Sequence, residues 1–130
     1  MKTQISFITE LFDSGKANAG AGGVQAGEDL ARWFIEKSKD GEFTFAEPVG
    51  RMSGWMSSVT AEGEKFELGF GIIDGSAGSD YAEWRIFIRS INRWKLFGSS
   101  KDSQLRGRLC DHVHNVLRDE GKIREVHWGE

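Results

Sequence analysis

Phe66-Glu67-Leu68-Gly69-Phe70-Gly71-Ile72 is the stretch that decides the fold. Phe66, Leu68, Phe70 and Ile72 fall on one side of an extended chain, and Glu67, Gly69 and Gly71 fall on the other. Strict alternation of this kind marks a strand in a sheet that is packed on one face and wet on the other. The pattern extends in both directions. Ala61-Glu62-Gly63 reads as a hairpin turn back to a strand over residues 52–60. Within that strand Gly54 marks a bulge or a close backbone approach, which leaves the face taken by Trp55 open. Residues 42–47 place Phe43 and Phe45 on one face, and Pro48-Val49-Gly50 interrupts them, because proline cannot donate to a central ladder. Beyond the loop 74–80, Trp84, Ile86 and Ile88 point one way, and Arg85, Phe87 and Arg89 the other. The run from Glu42 to Phe97 therefore reads as four consecutive strands joined by short turns.

The flanks supply the cover. Residues 4–12 have strand character with apolar groups on both faces. Residues 27–39 read as a helix with Leu30, Ala31, Phe34 and the stem of Lys37 on one side and Trp33 beside them. Glu28 and Asp29 in the first turn and Lys37 and Lys39 at the end suit its dipole, and Asp40-Gly41 stops it. A second helix follows from Leu105, Leu109, Val113, Val116 and Leu117, which recur at helical spacing. Ser99 with Asp102 forms its start and Gly121 its end. Residues 123–128 make a last short strand. The order β-α-β-β-β-β-α-β predicts an α+β fold: one domain over 1–130, an antiparallel sheet of about six strands, and both helices on one face.

Composition narrows the function. The chain has 130 residues, 38% of them apolar and 28% charged, which is a globular and not a disordered composition. Its net charge of −3 gives little pull toward phosphate backbones or anionic lipid. The single cysteine, Cys110, cannot form an internal disulfide, which suits a reducing cytoplasm. No apolar run approaches the ~20 residues needed to span a bilayer, and the N-terminal residues do not read as a signal peptide.

Motifs that would carry chemistry fail on spacing. The glycines of 18–23 lie after Gly15-Lys16, which is followed by Ala17, so a Walker A loop does not fit. A dinucleotide fingerprint would need glycine where Gln25 stands. The loop 74–80 resembles a calcium loop, but Gly78 and Arg85 occupy positions where ligands are required. His112 and His114 diverge on a helix, and Cys110 with His114 lacks an evident third ligand, so Cys110 reads as a buried thiol and the two histidines as surface imidazoles. No nucleophile elbow or activated cysteine is present. The expectation is a protein with no catalytic, cofactor or metal residues, leaning away from an enzyme.

Glu47-Pro48 followed by Gly54-Trp55, the Phe66 strand ending in glycines, Trp84 and the closing Val126-His127-Trp128 together resemble a group of small uncharacterised bacterial α+β proteins. The element order is similar to half of a TATA-binding-protein-like repeat with an added terminal strand. That likeness is one of topology and implies no DNA binding. The expected open face carries Lys65, Glu67, Arg85 and Arg89, mixed in sign, and lacks the aromatic sheet motifs of RNA binders, so no nucleic-acid partner is expected.

Five Trp and nine Phe are many for this length. Trp33, Phe34 and Trp84 fit a core. Phe87 between Arg85 and Arg89, together with Trp94 in Asn92-Arg93-Trp94-Lys95, forms an expected interaction surface, since Trp and Arg anchor interfaces. The reading is a non-enzymatic protein-interaction module, monomer or weak homodimer, that engages an unidentified protein through its open sheet face or an edge. The alternative is a small-ligand or catalytic domain with a pocket between helix and sheet.

Overall fold

A computed structural model describes residues 3–12, 26–51, 54–73, 82–91 and 100–129, with side chains in the last segment from 104 onward. Trp94, the glycine-rich loop 19–23, the loop 74–80 and Ser99 lie outside the described residues.

The elements follow the expected order with one strand added between the helices: β1 (Gln4–Thr9), α1 (Glu28–Lys37), β2 (Thr44–Phe45), β3 (Val49–Arg51), β4 (Gly54–Ala61), β5 (Glu64–Ile72), β6 (Glu83–Ser90), α2 (Ser100–Arg118) and β7 (Ile123–Gly129). All pairings are antiparallel, and the sheet order is β2-β4-β5-β6-β1-β7, with β3 beside β2 on the same edge of β4. The sheet has seven strands and not six, because Val49–Arg51 resumes pairing with β4 after Pro48 instead of remaining a break.

The decisive stretch behaves as its alternation demands. Phe66, Leu68 and Phe70 are buried, and Trp55, Ser57 and Val59 of β4 stand opposite them. Ile86 pairs with Phe70 on one side and Ile5 on the other, and Phe7 stands opposite Trp84. Trp55 thus belongs to the packed face. These side chains form one cluster with Leu30, Ala31 and Phe34 of α1 and Leu105, Leu109, Val113 and Leu117 of α2, so both helices cover the same face. Each such side chain taken out of water contributes about 1.5–3 kcal/mol before entropy is charged against it. Lys37, expected along the apolar side of α1, is exposed, because the helix ends there.

Turn chemistry fixes the register. Ala61 pairs with Glu64 across a two-residue turn in which Glu62 and Gly63 both have positive φ, 49° and 81°. That is the primed turn whose twist matches the strands. Gly54 at φ 139° confirms the close approach: a Cβ there would lie 2.4 Å from the Phe70 carbonyl oxygen. Gly27, at φ 130° and ahead of α1, would put a Cβ 2.8 Å from the same oxygen, so the start of α1 rests directly on β5. β1 ends at Thr9 and not at Phe12. The Thr9 hydroxyl donates to the Lys122 carbonyl at 2.9 Å and accepts from the Leu11 amide at 3.2 Å. This turn returns Phe12 to the core, edge-on to Trp33 and Trp84 at 5.4 and 5.7 Å.

Candidate open-face interaction site

The sheet face away from the helices is assembled row by row from cross-strand partners. In the central row Gln4, Phe87, Gly69, Met56 and Val49 follow one another across β1, β6, β5, β4 and β3. Phe87 does not stand up from the sheet. A Cβ built on Gly69 would lie 2.0 Å from its Cζ, so the ring tip fills the space that a side chain at 69 would occupy. Gly69 thus lets an aromatic ring lie across the sheet, half-buried, beside half-buried Met56 and with Val49 48% exposed at the end of the row. The row is an apolar strip on the wet side.

The neighbouring rows are polar. His127, Ser6, Arg85 and Gly71 form the one toward the β7 side. The Nη1 of Arg85 donates to Gln4 Oε1 at 3.4 Å, a long and weak bond. Arg89, Glu67 and Ser58 form the row on the other side, where the Arg89 guanidinium donates to the Glu67 carboxylate. Pairing also puts Arg51, Lys65, Glu83 and Arg124 on this face. Among the described residues, pairing places five cations here, Arg51, Lys65, Arg85, Arg89 and Arg124, against two carboxylates, Glu67 and Glu83. The expected mixed-sign face is thus weighted toward positive charge, on a chain of net charge −3.

Of the expected surface residues, the structure brings Arg85, Phe87 and Arg89 together on this face, and Trp94 lies outside the described residues. Met56, Val49, Gln4, Ser6 and His127 join them. The two sheet edges are blunted. β7 carries exposed Arg124 and Glu125, and Glu125 at φ 52° sits where the pairing with β1 shifts register. The opposite edge of β4 is split between two short strands around Pro48. Bulges, charges, proline and short edge strands are how proteins discourage a further strand from adding.

The helix side holds the groups that a catalytic reading would need, and their geometry argues otherwise. His112 Nε2 lies 2.7 Å from Ser38 Oγ, a nucleophile–base distance. Yet Ser38 is 1% exposed and its hydroxyl donates to the Phe34 carbonyl at 2.8 Å, as a helix-end bond. No substrate reaches a hydroxyl so enclosed. The His112 ring is set against Phe34, Phe43 and Phe45 at 5.7, 6.1 and 6.2 Å. Burial lowers its pKa below the ordinary histidine value, with Glu42 opposing. His114 accepts from Trp128 Nε1 at 3.2 Å and its ring stacks on that indole. The two histidines are thus half-buried contacts and not surface imidazoles, because α2 packs on both flanks, toward α1 on one and β7 on the other. Cys110 is buried, as expected, and forms no disulfide among the described residues. Among the described residues no three His, Cys, Asp or Glu side chains cluster closely enough to share a metal ion. Arg106 of α2 is 8% exposed and donates to the Ile88 carbonyl at 3.0 Å and to Ser90 Oγ at 3.2 Å. It ties α2 to the end of β6.

No helix among the described residues is long and apolar enough to cross a membrane. Comparisons with protein-family models, curated proteins and solved structures find no match to this chain.

Proposed function

We propose that this chain is a non-enzymatic protein-interaction module whose contact surface is the open face of its sheet. The observation that carries the reading is the strip of Phe87 lying over Gly69 between Met56 and the cations Arg85 and Arg89. A flat aromatic with arginines on either side is the composition of an interface centre. Blunted edges support the face over strand addition. Burial of Ser38 speaks against an acyl-transfer enzyme built on His112. A reducing cytoplasm suits a chain whose single cysteine is Cys110.

The double change Arg85→Ala with Phe87→Ala tests the reading. The variant is expected to melt within a few degrees of the parent, because these side chains are exposed or half-buried. It is expected to lose a partner that co-purifies with the parent, or to elute as a smaller species. Retention of every partner and of the parental elution volume overturns the proposal.

A further inference from the structure

We propose that the segment docking on the open face is acidic, and that one of its carboxylates enters a hollow between Arg85 and His127. The inference rests on the open-face reading above and specifies the chemistry of the partner. The hollow has a volume of about 130 Å³ and is lined by Gln4, Ser6, Ile73, Arg85, His127 and the Trp128-Gly129 pair. Small-molecule sites usually occupy ~300–1,000 Å³, so this one suits a single side chain of a larger partner and not a free ligand. A guanidinium has five N–H donors in a fork that matches a carboxylate. The one described hydrogen bond of Arg85 spends a single donor, at 3.4 Å, on Gln4. Ser6 stands between Arg85 and His127 in the pairing and offers a hydroxyl. Gly71 is the next residue in that row and has no side chain, so the partner's backbone can come close to the sheet.

Charge complementarity gives the same answer at longer range. Among the described residues, five cations and two carboxylates leave the face at +3, and the other seven cations and thirteen carboxylates leave the rest at −6. The positive potential is therefore concentrated on one side of an acidic molecule, which steers an acidic partner to that side and repels it elsewhere. A nucleic acid fits less well. Single strands are held on sheet faces by two or three stacking aromatics along a basic track. Here Phe87 is the aromatic of the face among the described residues, and Arg89 is already engaged by Glu67.

The test uses fluorescein-labelled peptides of alternating leucine with glutamate, lysine or serine, and a labelled oligothymidylate, titrated into the full chain at low salt. Amide NMR shifts report the location. The glutamate peptide is expected to bind at least about tenfold more tightly than the lysine peptide. It should shift the amides of Ser6, Gly71, Arg85 and His127 and weaken with added salt. Arg85→Gln with His127→Gln, both exposed, should weaken it about fivefold or more, and Arg89→Gln less. Equal binding of the glutamate and serine peptides on this face overturns the acidic partner but leaves the interaction surface intact. Tighter binding of the oligothymidylate, or glutamate-peptide binding untouched by the double variant, also overturns the inference. Absence of any shift on the open face with all three peptides counts against both proposals.

Discussion

The two faces of β6 are built from the same strand and answer to different physics. Trp84, Ile86 and Ile88 look toward the helices and are buried, Trp84 and Ile86 completely. Arg85, Phe87 and Arg89 look toward water, and only Phe87 among them is half-buried. On the packed side each residue is held by volume: a side chain of the right size fills a fixed hole. On the open side the arrangement is held by one missing side chain, since Phe87 lies flat only because residue 69 is glycine. Stability is therefore concentrated on one face and the proposed recognition on the other, and substitutions should separate the two.

Ile86→Ala is expected to show the largest effect, about 2–5 kcal/mol of stability in a denaturant titration, with Leu109→Ala on the facing helix in the same range. Gly54→Ala comes next, at about 3 kcal/mol, because it forces a side chain into a left-handed backbone and against the Phe70 carbonyl. A midpoint near the parent for either class would break the division of labour. Phe87→Ala should cost about 1 kcal/mol or less, despite removing a whole aromatic from the same strand.

His112 adds a pH-dependent difference on the packed side. Burial depresses its pKa, so the folded chain takes up this proton less readily than the unfolded chain does. Its contribution is present above the unfolded value of 6.5 and is lost as pH falls below it. His112→Phe keeps the aromatic contacts and removes the titration. Its stability relative to the parent should improve steadily between pH 7.5 and 5, as followed by thermal melts. A constant gap across that window would show that His112 titrates as it does in the unfolded chain.

Gly69→Ala is expected to have the smallest effect on stability, within about 0.5 kcal/mol. The gain from replacing a strand glycine offsets the cost of displacing a ring tip that is free to move into solvent. The same change should abolish the flat strip and with it partner capture. Stability and binding falling together would merge the two faces into one structural unit.

The packed face was legible because period-two alternation in Phe66–Ile72 and in β6 needs no partner to be read. The helix stripe Leu105, Leu109, Val113 and Leu117 was legible for the same reason. The open face was legible only within single strands: Arg85, Phe87 and Arg89 were found, because they share β6. Met56, Val49, Ser6 and His127 were not, because their place in the rows of Phe87 and Arg85 depends on cross-strand register, which a local pattern does not encode. The histidines were misplaced for a related reason. Helical periodicity locates a residue on its own helix but not the second and third elements that close over its flanks. Val49–Arg51 was missed as a strand because Pro48 signals an interruption, and proline at a sheet edge interrupts without ending the pairing.

The most direct test of the account is site-specific photo-crosslinking in the source cell. A photoreactive side chain at Ser58, exposed on the open face, is compared with one at Asn115, exposed on α2. The account predicts a discrete adduct from position 58 that is absent from position 115 and disappears when Gly69→Ala is added. Adducts of equal yield from both positions, or an adduct at 58 that survives Gly69→Ala, would contradict it.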